Sequence, residues 1–378
     1  MDTIRLERLL RVKSGDSISI GKLSSFGKYP VYGGNGINGY TTQYNVPAGT
    51  MIIGRVGEKC GNVYITTTDS WVSDYALIVQ KKESYDNTYL RYLLEYVNLN
   101  DYANRNAQPV ISGKIIYDIE LPYTFDIQQQ EKIAKAISCF ETYINDLSEL
   151  IEKKKSIRDG ALEDLICRRT RLDGFHDDWI KVSFNQVIVP KARIGWQGLK
   201  KHEYLRNGYS YLISGTDFKD GTISLDNISY VSKERYDMDE NIQVKENDVL
   251  VTKDGTIGKV AMVPALSKPA TLNSGIFVFR TTPQLEPAFL YRVLMSSVFR
   301  EFIDTLSAGS TIKHLYQKDL KNFKFEMPKN VNEQRAISDV LTAMDKEIEN
   351  LEAERDKMIQ IREGAMDDLL TGRVRLTV

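Results

Sequence analysis

The chain has 378 residues, 42% of them hydrophobic, so it exceeds one average domain and can build real cores; two globular units with connecting structure are expected. Its 50 Lys and Arg residues against 51 Asp and Glu give a net charge of -1, which excludes a polycation that coats nucleic acid everywhere and confines any such contact to local basic patches. No run approaches the roughly 20 apolar residues of a membrane span, and the opening Met1-Asp2-Thr3-Ile4-Arg5 has no apolar signal core, so a cytoplasmic protein is expected. Cys60, Cys139 and Cys167 lie too far apart for a disulfide framework or a zinc site; Cys139, inside a helical pattern, is expected to be a small buried side chain.

Residues 1–125 read as a first, mostly β domain, rich in Gly, Tyr, Thr, Asn and Val, with short apolar runs such as Met51-Ile52-Ile53-Gly54 between turn residues. Leu90–Tyr96 reads as a short helix late in this domain. Residues 126–172 follow as a long helix: Ile133, Ile137, Phe140, Ile144, Leu147 and Ile151 alternate steps of four and three, a heptad seam. Pro122 precedes it, Asp126 is the expected N-cap, and from about Ile127 to Arg168 it would span roughly 60 Å.

Residues 173–329 repeat the β texture, with Asp248-Val249-Leu250-Val251 as a strand and Phe289–Leu294 as the late short helix. A second long helix occupies residues 330–378, with Ile337, Leu341, Met344, Ile348 and Leu351 in the same register. Pro328 precedes it, Asn332 is the expected N-cap, and Gly372 is a natural stop where the first copy has Arg168.

The two helices are copies. Gly160-Ala161-Leu162-Glu163-Asp164-Leu165-Ile166 matches Gly364-Ala365-Met366-Asp367-Asp368-Leu369-Leu370 at a shift of 204, which also pairs Arg158 with Arg362, Arg171 with Arg375 and Gln130 with Gln334. The domains share weaker matches: Arg55–Val63 with Lys253–Val260, and Ile119-Glu120-Leu121-Pro122 with Phe325-Glu326-Met327-Pro328. One unit is therefore used twice, giving an α+β fold of two mostly β domains joined by two long helices. A single amphipathic helix cannot bury its stripe, so the helices should pair antiparallel in a pseudo-two-fold arrangement that holds the domains apart. Late in each seam the positions become Lys154, Arg158, Arg355 and Arg362, and this charged interruption is read as a place where the helices splay or another protein's helices dock.

B-form DNA has local two-fold symmetry, and paired modules read half-sites at a spacing set by the protein. Readout asks for Arg, Lys, Asn, Gln and Ser or Thr on loops. The first domain offers Tyr32, Asn35 and Asn38, then Arg55 and Lys59, then Arg105, Asn106 and Gln108. The second offers Lys191, Arg193, Gln197, Lys200 and Lys201, then Lys253 and Lys259, then Lys313 and His314. The stretch 191–202 is the best patch, because no acidic residue within it offsets its positive charge.

The helix openings Gln130-Glu131-Lys132-Ile133 and Glu333-Gln334-Arg335-Ala336-Ile337, the Arg-x-Gly-Ala-Leu/Met-x-Asp-Leu endings at 158–165 and 362–369, and the loops Tyr29–Gly36 and Asp254–Val260 together resemble the specificity subunit of type I restriction-modification systems. The resemblance spans essentially the whole chain. It implies two target recognition domains reading a bipartite, asymmetric site in double-stranded DNA, with helices as spacer. It further implies assembly with two modification subunits, which methylate adenine using S-adenosylmethionine, and with ATP-driven restriction subunits.

Rival readings are weaker. There is no phosphate-binding Gly-x-x-x-x-Gly-Lys-Ser/Thr loop, no Asn/Asp-Pro-Pro-aromatic motif and no metal spacing among His176, His202 and His314, so neither a catalytic site nor a cofactor of its own is expected. A coiled-coil structural adaptor with two peptide- or glycan-binding domains would explain the helices and the neutral charge, but not two dissimilar domains in a symmetric frame.

Overall fold

The computed structural model describes residues 2–193, 198–307 and 314–376. It divides into two compact units: the residues through Leu150 together with those from Leu351 onward, and Ile151–Asn350. Each unit thus combines one β-rich module with half of each long helix, rather than following consecutive segments of chain. The reason is the stripe: a module closes a core only over a helix pair, so it takes a half from each copy.

In the first unit the elements are β1 (Asp2–Arg5), α1 (Leu6–Leu9), β2 (Leu10–Ser14), β3 (Tyr29–Gly33), β4 (Gly36–Thr41), β5 (Met51–Gly54), β6 (Val63–Ile65), β7 (Trp71–Val72), β8 (Ala76–Lys81), α2 (Asn87–Tyr96), α3 (Gly113–Tyr117), β9 (Glu120–Tyr123) and the start of α4 (Ile127–Ile166). β1 pairs with β9, one sheet has the order β2-β8-β5-β6, and another has β4-β3-β7 with β3 and β7 parallel.

The second unit continues with β10 (Trp179–Ser183), α5 (Phe184–Val187), β11 (Ile188–Ala192), β12 (Ser210–Ile213), β13 (Phe218–Lys219), β14 (Thr222–Ile223), β15 (Ser229–Val231), α6 (Lys233–Asp237), β16 (Gln243–Val244), β17 (Val249–Thr252), β18 (Val260–Met262), β19 (Ala270–Leu272), β20 (Ile276–Thr281), α7 (Pro287–Met295), α8 (Ser297–Ser307), α9 (Gln317–Leu320), β21 (Lys324–Pro328) and α10 (Val331–Leu370). The sheets repeat: β10-β21, then β11-β20-β17-β18, then β15-β12-β19-β16 with β12 and β19 parallel. The β13–β14 hairpin, β16, α6 and α8 are additions.

α4 and α10 are 40 residues each. In the first unit, Tyr143 of α4 donates to Glu354 of α10 at 2.5 Å, while Ile133 and Ile137 share a core with Met366, Leu369 and Leu370. In the second, Lys154 pairs with Glu347 at 2.7 Å, Arg158 with Asp345 at 2.5 Å, and Leu162 and Leu165 share a core with Ile337 and Leu341. As one number rises the other falls, so the helices run antiparallel within each unit. Every predicted seam residue is buried or half-buried.

Asp126 caps α4, its carboxylate accepting from Gln128 N at 3.0 Å and Gln129 N at 3.3 Å. The cap of α10 is Asn330 and not Asn332: the helix starts at Val331, and Asn330 Oδ1 accepts from Asn332 N at 3.0 Å. Both helices end alike. Gly372 has φ 76°, and Arg168, in the matching place, adopts φ 58°. A non-glycine residue pays steric strain there, and the Arg168 side chain reaches Glu326 at 3.2 Å and lies 5.6 Å from the Trp179 ring. Cys139 is exposed, not buried: two residues beyond Ile137, it lies about 200° round the helix from the seam.

Candidate nucleic-acid interface

Each module is fastened to its helices by the same two devices. Gln130 and Gln334 are wholly buried. Gln130 Oε1 accepts from Asp86 N, at the cap of α2, at 2.8 Å, and its amide donates to Thr124 O at 2.7 Å and Tyr123 Oη at 3.0 Å. Gln334 Oε1 accepts from Glu286 N, at the cap of α7, at 2.8 Å, and its amide donates to Pro328 O at 2.8 Å and Gln284 O at 3.0 Å. A glutamine amide carries an acceptor and two donors on one neutral side chain, so it serves a helix N-terminus and the carbonyls ahead of the long helix together.

The second device is a carboxylate eight residues past the start of each seam, at Ile133 and Ile337. Glu141 takes Arg91 at 2.6 Å and Tyr92 Oη at 2.6 Å from α2. Burial works to raise its pKa, but the hydrogen bonds from Arg91 and Tyr92 and the charges of Arg91 and Arg362 leave it below the usual carboxylate value. Burial, aided by that same hydrogen bond, pushes the Tyr92 phenol up to about 12. Asp345, the match of Glu141, takes Arg292 of α7 at 2.6 Å and Arg158 of α4 at 2.5 Å. The charged stretch of the seam is therefore not open: Lys154 and Arg158 have partners within the chain, Arg355 pairs with Asp356 at 2.8 Å, and Arg362 lies within electrostatic reach of Glu141 and Glu95 with its Nε buried and unbonded.

Away from the helices, three loops of the first module converge. β3 and β4 turn through Gly34-Asn35, and a Cβ at Gly34 would sit 2.2 Å from Val56 O, so only glycine lets this turn lie on the next loop. That loop, 55–62, is tied to the third by Gly57 N to Pro109 O at 2.9 Å and Ile111 N to Arg55 O at 2.9 Å. Asn35, Lys59, Arg105, Asn106 and Gln108 are exposed on these loops, Asn38 is exposed on β4 beside them, and Arg55 is half-buried with Nη1 3.3 Å from Ser14 Oγ. Arg105 is held by the Asn100 side chain, and Asn104 Oδ1 accepts from Asn106 N at 3.0 Å. Tyr32 does not join them. It is 6% exposed and packs on Tyr64 in the core, because its strand position points inward.

The second module repeats the framework: Lys253 N donates to Gly275 O at 2.8 Å and Leu315 N to Lys253 O at 2.9 Å, as Arg55 N donates to Tyr75 O at 2.9 Å and Ile111 N to Arg55 O. The chemistry differs. Where the first loop has Val56, the second has Asp254, which lies 2.7 Å from His314 Nδ1 and 3.8 Å from Lys253 Nζ. Lys259, Lys200 and Lys201 are exposed and Lys191 is half-buried. Arg193 is not a surface reader: it is 3% exposed, and its Nε donates to Leu272 O at 2.9 Å, tying β11 to β19. The stretch 191–202 is also less positive in space than in sequence, since Glu203 accepts from Lys200 N at 2.6 Å and pairs with Arg235 at 3.1 Å. Trp196, Gln197 and 310–313, Lys313 among them, lie outside the described residues.

Sequence reading missed one segment. The chain between β2 and β3, residues 15–28, occupies the place that 198–209, leading into β12, occupies in the second module, and its lysines, Lys22 and Lys28, are too spread out to form a patch in the sequence. The repeat itself was the signal that could have found it.

Among the described residues, no group of three His, Cys, Asp or Glu could hold a metal ion, and no helix is long and apolar enough to cross a membrane. Residues 1–157 and 195–359 match the family described as type I restriction modification DNA specificity domain. The chain is 24% identical over 338 residues to the type I restriction enzyme MjaVIII specificity subunit of Methanocaldococcus jannaschii, covering 85% of this chain and 78% of that one. It is 24% identical over 299 residues to the EcoBI specificity subunit of Escherichia coli, covering 71% of this chain and 62% of that one. The crystal structure of a type I S subunit from M. genitalium aligns over 100% of this chain and 96% of its own at TM-score 0.67 and 17% identity. A structure described as the basis of complex assembly and conformational transition of the type I R-M system aligns at TM-score 0.60 and 14% identity, covering 99% and 98%. The adaptor reading gains no support from these relatives, and with a family match over both repeats the chain belongs to the type I restriction-modification DNA specificity family.

Proposed function

We propose that this chain is the sequence-reading subunit of a type I restriction-modification complex, in which each β module reads one half of a bipartite, asymmetric site in double-stranded DNA. The observation that carries this reading is a repeated frame with unlike loops: the same backbone bonds hold 55–62 against 104–111 and 253–260 against 314–315, yet one site presents Arg55, Lys59, Arg105, Asn106 and Gln108 and the other Lys253, Asp254, Lys259 and His314. Asn, Gln and Arg suit adenine and guanine edges, whereas a carboxylate suits the cytosine amino group, so unlike loops imply unlike half-sites.

On this reading the protein works in the cytoplasm beside two modification subunits and restriction subunits, and methyl transfer and cleavage belong to them. Lys154, Arg158, Arg355 and Arg362 remain the proposed docking positions on the helices. Because Lys154 and Arg158 have carboxylate partners on the other helix and Arg355 has Asp356 beside it, docking there exchanges one ion pair for another.

The test is retention of the purified chain on a duplex-DNA column across a salt series. Retention that falls steeply with salt, as counterion release requires, supports the reading; no retention at any salt refutes it.

A further inference from the structure

The segment between β2 and β3 holds the two most exposed large apolar side chains among the described residues: Ile20 is 88% exposed and Phe26 is 81% exposed. Single exposed apolar residues are ordinary on protein surfaces. This pair stands apart because the loop carrying it is pinned. Ser24 and Tyr40 exchange backbone hydrogen bonds of 3.0 and 2.9 Å, Ser24 Oγ bonds to Phe26 O, and Gly27 is pressed on the Tyr40 side chain, where a Cβ would come within 2.9 Å. The backbone on either side of the outward phenyl ring is thus tied down.

The second module shows what this position is for. There Leu205 and Tyr230 exchange the matching backbone bonds, and Gly208 lies on Tyr230 as Gly27 lies on Tyr40. Aligned on those contacts, Phe26 stands where the second module has Asn207, and Ser25 where it has Arg206, both exposed polar side chains. The same ledge carries hydrogen-bonding groups in one module and an apolar blade in the other.

The electrostatics name the occupant. No Asp or Glu occurs between Asp16 and Glu58, while Lys22 lies between Ile20 and Phe26 and Lys28 follows Phe26 by two residues. Asp16 is engaged by Asn45 at 2.8 Å, and Asp69 is the carboxylate whose field reaches Lys28. Cations around an outward apolar wedge fit a polyanion with stacked bases: lysines meet phosphates while the wedge enters a base step, partly unstacking it.

We infer that Phe26, supported by Ile20, is a wedge that inserts into the DNA at the half-site read by the first module. This rests on the proposed function and adds a mode of contact to it. The test uses the full-length chain and a duplex obtained by selecting random DNA with the wild-type protein. Phe26→Ala is expected to lower affinity for that duplex by about 10-fold to 100-fold, with the salt slope and Tm unchanged. Phe26→Trp should restore binding and show fluorescence quenched by stacked bases. If Phe26→Ala binds within about 2-fold of wild type, a protein-facing or idle side chain included, the wedge is refuted while DNA reading stands. If the wild-type chain selects no DNA at all, both fall.

Discussion

The two modules differ least where they touch the helices and most where they face away from them. Gln130 and Gln334 make the same bonds to their short helices, and Glu141 and Asp345 each receive an arginine from α2 or α7. Yet the arginine comes from position 91, just before Tyr92, in one module and from Arg292, just after Tyr291, in the other. The lesson is that the repeat preserves where the carboxylate sits and lets the module find a cation for it, while the outward loops keep only backbone bonds and exchange their side chains freely. A frame held by main-chain bonds tolerates new readers without refolding.

The comparison breaks most sharply at the glutamine. Gln130→Ala or Gln334→Ala strands a buried N–H and a buried carbonyl and leaves a cavity, so each is expected to destabilise its own unit by about 3 kcal/mol in chemical denaturation; equal costs in the two units support a shared device. Asp345→Ala leaves Arg292, 8% exposed, without its carboxylate, and an expected loss of about 2 kcal/mol is what separates a structural node from a solvated ion pair. Glu141→Ala should cost about 1 kcal/mol, because its carboxylate is a third exposed and screened and its partner Arg91 is more open than Arg292.

The Glu141 site also makes a pH prediction. Its pKa is depressed in the folded protein, so its contribution is full above the unfolded value of about 4.3 and is lost as pH falls through the lower folded value. Glu141→Gln should therefore flatten the acid limb of the stability curve; an unchanged limb would show that other carboxylates govern it. A finer distinction lies at the helix ends. Gly372→Ala forces a side chain into the left-handed region and is expected to cost about 1 kcal/mol, whereas Arg168→Ala, where the strain is already present, should cost under about 0.5 kcal/mol. Smallest in stability are Lys59→Ala and Arg105→Ala, expected within about 0.5 kcal/mol of wild type, each lowering the salt slope of DNA binding by about 1 if its cation meets a phosphate.

Much of this frame was legible in the residues. A heptad seam and a shift of 204 give two paired helices, since periodicity reports which face is buried, and the antiparallel sense within each unit agrees with them. Side-chain exposure was less legible. Tyr32 and Arg193 have the right chemistry for reading DNA, but alternation along a strand and a backbone carbonyl 79 residues away in sequence took them inward. The charged end of the seam looked open because its partners, Glu347 and Asp345, come from the other helix copy. Phe26 carried no motif and became visible only when the two loops were laid on the same backbone bonds.

The most direct test of the account is to map methylated bases in DNA modified by this chain with its modification subunit, before and after residues 1–121 are exchanged for those of a relative. Two unlike readers on a common frame predict that one half of the recognised site changes while the other half and the gap stay fixed. A change in both halves, or in neither, would contradict it.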